Sequence, residues 1–329
     1  MTKAPLLNAE LAVMHLFWQN DRLTARNVHD QLTALSDIPA ELGHTNYNRF
    51  LLLDMRGRGS VSSAGILGHL AEVVCATPMA DDLLVLESHD GHDARLRIVG
   101  GDRREAQYCG NGALFAASLL GARNAAGVVY MATPIGPRRA RREGTSWTVE
   151  VGEVHRMPVN EEPLSELCEG RARFLGLFQA GEPHLLLEVT RQGSEELRER
   201  TVFESFCEPF RDALGIEGGV NITVVFGHSQ SRICVRTFER GVRRQTQSCG
   251  TGAVAAAALL CEGREGEISV QVHAPGGTHS VRREGRQWLL SAPPRGVGSG
   301  RLLDLVDLID IERRWTQDMA FCSSTGTGR

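Results

Sequence analysis

Residues 103–120 read RREAQYCGNGALFAASLL and residues 243–260 read RRQTQSCGTGAVAAAALL, and the two stretches align without a gap. Eleven of the eighteen positions are identical, and Cys109 matches Cys249 at an offset of 140 residues. A second block keeps nearly the same register: TPIGPRRARREGTSW from Thr133 matches APGGTHSVRREGRQW from Ala274. Here Pro134/Pro275, Arg142/Arg283, Glu143/Glu284, Gly144/Gly285 and Trp147/Trp288 coincide 141 residues apart. Two blocks at one offset indicate a duplicated domain, and so long a period excludes a solenoid.

The copies share one coarse reading. Alternating or apolar runs at 83–87 and 95–99, and again at 222–226 and 233–238, flank turn-forming residues and read as hairpins. A Cys-Gly-x-Gly turn then opens a helix, at 113–120 in one copy and 253–260 in the other. Both helices are apolar on every side and are expected to lie buried. Further strands are expected at 128–131, 147–151, 268–272 and 288–290, joined by turn-rich Pro/Gly/Arg stretches. The fold class is therefore α/β of the α+β kind: two homologous domains, each with strands wrapped around one central helix.

The expected division assigns 1–42 to an N-terminal helical extension, 43–153 with 294–312 to the first domain, 154–293 to the second, and 313–329 to a tail. Asn8 is placed to cap a helix through Trp18, and Thr24 a second through Leu35. With no clear recognition helix and no basic patch, this pair reads as a docking arm or an oligomer contact, so a homodimer is a possible assembly and nucleic acid is not an expected partner.

Composition narrows the chemistry. The 329 residues carry 36 basic and 40 acidic side chains, a formal charge of −4 that supplies no overall field for nucleic acid or an anionic membrane. No apolar run approaches the ~18 residues of a membrane span, and the start of the chain lacks the pattern of a secretory signal, so a soluble cytoplasmic protein is expected. A single lysine, Lys3, stands near the N-terminus. Schiff-base chemistry, pyridoxal phosphate included, has no internal lysine to use. The eight cysteines show no C-x-x-C spacing and no clustered histidines, so neither a metal site nor a redox dithiol is signalled. No cofactor is expected.

A Cys-Gly-x-Gly turn at a helix start presents free backbone N–H groups to an anion, and the same positive end is expected to lower the cysteine's pKa. Duplication adds a constraint, since homologous domains facing across a cleft would present Cys109 and Cys249 to opposite faces of one ligand. Racemisation at Cα has this symmetry: one thiolate removes the proton, the opposite thiol returns another, and the roles exchange for the other enantiomer. The other six cysteines, Cys75, Cys168, Cys207, Cys234, Cys261 and Cys322, read as small buried hydrophobes.

Tyr108-Cys109-Gly110-Asn111-Gly112-Ala113, and Glu239-Arg240-Gly241 followed by Cys249-Gly250-Thr251-Gly252-Ala253, resemble the signature pair of the diaminopimelate epimerase family of pyridoxal-independent amino-acid racemases. Tyr47-Asn48-Arg49-Phe50-Leu51 resembles that family's Gly-Asn-Asp-Phe strand, and the resemblance runs from about Asn48 to about Gly298. It implies two pseudo-twofold-related domains of sheet around a central helix, an active-site cleft between them, and a two-cysteine proton relay. It further implies that Asn48 and Glu239 meet the reacting α-amino group, that Gly110-Asn111 and Gly250-Thr251 meet the α-carboxylate, and that Asn221 and Arg240 lie towards the far end of the substrate.

Departures from the pattern bear on the substrate. Two amides of the family's far end are replaced by Gly100 and Glu182, the Gly-rich loop expected after Cys75 reads Ala76-Thr77-Pro78-Met79-Ala80-Asp81-Asp82, bringing Asp82 to the site, and one extra residue separates Glu239 from Cys249. A carboxylate at Glu182 would favour a basic or imidazole side chain, histidine first, as in the histidine racemases similar to this family. It would carry no such information if it paired with Arg240 instead. Diaminopimelate is the alternative substrate. A non-racemising isomerase or a redox-sensing protein on the same fold are the alternative functions.

Overall fold

Every strand pairing in the first half of the computed structural model has a counterpart in the second. It describes residues 38–302 apart from 59–63, 78 and 123–125. The helices expected at Asn8–Trp18 and Thr24–Leu35, and the 313–329 tail, lie outside the described residues.

The first unit runs β1 (Pro39–Thr45), β2 (Asn48–Asp54), α1 (Ala64–Cys75), β3 (Asp82–Glu87), β4 (Ala94–Gly100), α2 (Gly110–Gly121), β5 (Val128–Ala132), β6 (Arg138–Glu143) and β7 (Ser146–Gly152). A connection follows, with β8 (His155–Met157) and α3 (Glu162–Leu167). The second unit opens with β9 (Ala172–Ala180), β10 (Glu182–Val189), α4 (Gly193–Glu196), α5 (Arg200–Asp212), β11 (Asn221–His228) and β12 (Arg232–Glu239). It continues through β13 (Arg244–Gln245), α6 (Gly250–Leu260), β14 (Ile268–Ala274), β15 (Gly277–Glu284) and β16 (Gln287–Ala292), and β17 (Pro294–Arg301) closes the described chain.

In the first unit β2 pairs with β3 in parallel, β3 with β4 antiparallel, β4 with β5 in parallel, and β5–β6–β7 form an antiparallel meander. The second unit repeats this as β10–β11 parallel, β11–β12 antiparallel, β12–β14 parallel and β14–β15–β16 antiparallel. Antiparallel pairing of β7 with β16 joins the two. Each unit also sends a strand across: β8, following β7, pairs with β9, and β17, following β16, pairs with β1. The result is an α+β fold of two similar β/α units.

Burial explains the continuous apolar runs. Leu52, Leu84 and Leu86 face the core that encloses α2 and α6, while Leu51, Leu53, Leu83 and Val85 face α1 on the opposite side of the same strands. Period-two alternation then sends leucine to both faces because both are covered. In the second unit Leu186 faces the shared core, and Leu185 and Leu187 face α5, whose Phe203, Phe206, Cys207 and Phe210 form one helical stripe. The two central helices are buried along nearly their whole length, as their all-round apolar sequence requires.

Two expectations need correction. The Pro/Gly/Arg stretches read as turns contain β6 and β15. In β6 only Ala140 is buried among five charged neighbours, so its hydrophobic signal is a single residue and the pairing of the meander decides its state. Cys234 is exposed rather than buried, whereas Cys75, Cys168, Cys207 and Cys261 are buried. No helix among the described residues is long and apolar enough to cross a membrane.

At the far end of α2, a β-carbon on Gly121 would stand 2.1 Å from Trp147 Cη2, one of the two tryptophans of the repeat. Gly121→Ala should destabilise the fold by about 1–3 kcal/mol through overpacking. Gly65→Ala, where a β-carbon meets nothing within 4 Å, serves as the control. Chemical denaturation midpoints check this; equal midpoints for the two variants would contradict the packing account.

Candidate active site between the units

Cys109 and Cys249 occupy the same position in their respective units, the residue before the first turn of α2 and of α6. Their backbones are nearly superimposable, with φ/ψ of −132°/112° and −126°/117°. The helices approach end to end at these termini. A β-carbon on Gly110 would lie 3.6 Å from the backbone of Gly250, and one on Gly250 would lie 3.0 Å from the Asn111 nitrogen, with Leu290 against both. A β-carbon on Gly110 would stand 2.6 Å from Leu290 Cδ2 and one on Gly250 2.7 Å from it, where the Asn111 backbone also crowds it, so glycine suits both positions. First-turn N–H groups have no intrahelical acceptor, so two positive helix ends converge on one place.

Both thiols line a single cavity of about 480 Å³, together with Asp82, Glu182, Asn221, Glu239, Arg240 and Thr251. The remaining candidates stand behind its wall. Asn48 is buried, with Oδ1 3.9 Å from Cys109 Sγ, and Asn111 is fully buried and donates from Nδ2 to Asn48 Oδ1 at 3.2 Å. Cys109 Sγ accepts from the Gly112 N–H at 3.3 Å, and Cys249 Sγ lies 3.4 Å from Thr251 Oγ1.

The electrostatics reverse one expectation. Burial pushes both thiols well above the ordinary cysteine range, and the negative charges of Asp82 and Glu239 push in the same direction. The helix-start donors pull downwards but are outweighed, because protein has displaced most of the water around each thiol while only one or two N–H or O–H groups face each sulfur. Burial likewise lifts Asp82 well above the carboxylate range and raises Glu239 to about 7, against a 2.5 Å hydrogen bond from Thr246 Oγ1.

Glu182 does not offer a free carboxylate to a side chain. Its Oε1 accepts from the backbone N–H groups of Gln107 (2.7 Å) and Tyr108 (3.2 Å), and its Oε2 accepts from Arg240. It thus pins the segment that delivers Cys109, and the argument for a basic substrate built on it falls. Arg240 is held in turn by the Gly219 carbonyl at 2.8 Å, and Asn221 Oδ1 accepts from the Arg240 backbone N–H at 3.0 Å. Asp81 bridges the units, paired with Arg49 at 3.0 Å and Arg244 at 2.7 Å. Asp82, only 9% exposed, lies on the cavity wall, and its carboxyl makes no hydrogen bond to another side chain among the described residues.

Two histidines escaped the reading of the sequence. His184 and His279 are both fully buried, and burial lowers them to about 3 and about 4. His184 Nε2 lies 2.9 Å from Thr251 Oγ1, and His279 Nε2 lies 2.8 Å from Asn111 Oδ1. Each therefore touches the variable residue of one Cys-Gly-x-Gly turn. His184 stands in the Gly181-Glu182-Pro183-His184 segment and His279 in the second repeated block, so their neighbourhoods were marked although their role was not. Among the described residues no group of three or more His, Cys, Asp or Glu side chains is arranged to hold a metal ion.

The charge balance of the cavity is open to test through its thiols. Asp82→Asn should move the pH–reactivity profile of Cys109 towards iodoacetamide to lower pH, because removing the neighbouring negative charge eases thiolate formation. Peptide mapping by mass spectrometry reads the rate at each cysteine. An unmoved profile would show that Asp82 does not govern the thiol.

No model of a known protein family matches the chain. It is 32% identical over 254 residues to the diaminopimelate epimerase of Mycolicibacterium paratuberculosis, covering 74% of this chain and 83% of that protein. The diaminopimelate epimerase of Xanthomonas euvesicatoria is 28% identical over 278 residues, covering 78% and 93%. Among solved structures, a protein described as a predicted epimerase from Pseudomonas aeruginosa superposes with a TM-score of 0.61 at 14% identity, over 82% of this chain and 99% of that one. A hydroxyproline epimerase from Agrobacterium vitis, with bound trans-4-hydroxy-L-proline, gives 0.57 at 17% identity, over 80% and 90%. These likenesses extend through both units, and the chain belongs to the diaminopimelate epimerase family of pyridoxal-phosphate-independent two-cysteine racemases and epimerases, isomerases of small amino-acid-like substrates.

Proposed function

We propose that Cys109 and Cys249 invert an amino acid at Cα by a two-base mechanism. The observation that carries this reading is the placement of two thiols, at equivalent helix starts, on the wall of one cavity. The α-carboxylate binds where the two helix termini converge, receiving the first-turn N–H groups around Gly110-Asn111 and Gly250-Thr251. One cysteine, as thiolate, takes the Cα proton and becomes a thiol. The other gives its proton to the opposite face and becomes a thiolate, so the protein ends with its proton count unchanged. Negative charge that builds on the carboxylate in the transition state meets preorganised donors that need not reorient.

Glu239 and Asp82 supply the counter-charge for the α-ammonium. Burial places Glu239 near 7, so ammonium binding should strengthen as pH rises through that value and the carboxylate ionises. KM for the amino acid is therefore expected to climb below about pH 7, and Glu239→Gln should abolish that dependence while raising KM about 10- to 100-fold, the loss of one charged hydrogen bond. A pH-independent KM in the parent protein would contradict the role given to Glu239.

For the substrate, the named relatives favour diaminopimelate, with its second zwitterionic end directed towards the Glu182–Arg240 pair. A basic or imidazole amino acid, histidine first, is the second reading, in which Glu239 alone meets the α-ammonium and Asp82, on the cavity wall, meets the side chain. Incubation with diaminopimelate and with each L-amino acid in deuterium oxide, followed by NMR of the α-proton, separates them. Cys109→Ala and Cys249→Ala should each abolish inversion at Cα, read by chiral chromatography, whereas Cys234→Ala, at an exposed site, should not. Inversion persisting in either alanine variant at the parent rate would sink the two-base reading.

A further inference from the structure

The hydrogen bonds behind Cys109 allow one assignment only, and it starts at His279. This residue, on β15 of the second unit, is held neutral by burial and so carries a single ring N–H. Its Nε2 faces Asn111 Oδ1 at 2.8 Å, across the boundary between the units. The Asn111 amide nitrogen donates to Asn48 Oδ1 at 3.2 Å, to the Ser248 carbonyl at 3.2 Å and to Ser248 Oγ at 3.0 Å. Ser248 Oγ spends its own proton on the Thr45 carbonyl at 3.3 Å, so it accepts from Asn111. Asn111 Oδ1 is thereby the acceptor, and the His279 proton sits on Nε2. His279 Nδ1 is left as a buried acceptor with no partner.

Asn48 Oδ1 is engaged by Asn111, which fixes the Asn48 amide and leaves its Nδ2 buried and without a partner. An orphaned donor costs free energy in the empty protein, and that cost is recovered when an acceptor enters. Asn48 is 1% exposed, and its amide abuts Cys109, which lines the cavity.

We propose that His279 is a positioning residue which, through Asn111, locks the Asn48 amide with its N–H groups free for a substrate oxygen beside Cys109. The proposal rests on the two-thiol reading of this cavity. Without the His279 donor, only the Ser248 contacts hold the Asn111 amide in this orientation, and a flipped Asn111 would release Asn48 to turn its oxygen towards the substrate, where it repels a carboxylate.

The test has two arms. Heteronuclear NMR of the histidine ring nitrogens in the parent protein, with His279 assigned by its loss in His279→Gln, should show the Nε2–H tautomer without titration between about pH 5 and 8. A proton on Nδ1, or titration in that range, would overturn the lock, and this arm needs no substrate. The second arm uses whichever amino acid loses its α-proton fastest in deuterium oxide. His279→Leu should raise KM about tenfold or more with a smaller change in kcat, and His279→Gln, which restores a donor, should recover most of it. Denaturation midpoints accompany both variants, and a parent-like KM in a folded His279→Leu would also overturn the proposal. If no amino acid exchanges with the parent protein while the NMR shows the expected tautomer, the functional reading has failed and the lock has not.

Discussion

Two buried helices that meet end to end at their positive termini create a demand that the protein interior alone leaves unmet. Each terminus carries about half a positive charge, and Leu290 packs so tightly on Gly110 and Gly250 that neither has room for a side chain. Much of the surrounding structure serves this encounter: the glycines permit it, Leu290 wedges both turns, and Asn111 ties them together through Ser248 and His279. Strand exchange through β8 and β17 binds each unit to the other, so the encounter is a fixed property of the fold.

Around that point the protein accumulates groups that are uncomfortable without a ligand. Two thiols are pushed up by burial, two carboxyls are raised by the same cause, and the Asn48 amide nitrogen has no acceptor. On the proposed mechanism a zwitterionic amino acid would relieve several of these at once, its carboxylate accepting from the helix ends and its ammonium neutralising the carboxyl groups. Catalysis at Cα needs this arrangement because the proton removed is a very weak acid, and the charge it leaves behind must find donors already in place. The paired Glu182 and Arg240 differ in kind: each is satisfied by the protein, so they shape the far end of the cavity more than they select for charge.

The repeat around Cys109 and Cys249 made the duplication, the buried central helices and the thiol pair legible from the sequence. Those features rest on local patterns that burial enforces: glycine at a close approach, alanine where helices are enclosed, cysteine at the helix start. Less legible was β6, where one buried alanine among arginines gives no period to read. The partners of Glu182 were also hidden, because Gln107, Tyr108 and Arg240 reach it from 58 to 75 residues away and only the folded chain joins them. His184 and His279 illustrate the same limit, since a buried histidine gains its role from the acceptor or donor placed opposite it. The lowered thiol pKa expected from the helix start failed because a dipole argument omits desolvation, which here is the larger effect.

The central claim is that two thiols act from opposite faces of one bound amino acid. The most direct test follows the first few per cent of conversion in deuterium oxide, starting from one pure stereoisomer of an accepted substrate. The account predicts that the inverted product carries solvent deuterium at Cα while the remaining substrate keeps its original proton, because the base that removes the proton is not the acid that replaces it. Equal early appearance of deuterium in product and recovered substrate would show a single base working on both faces, and would contradict the account.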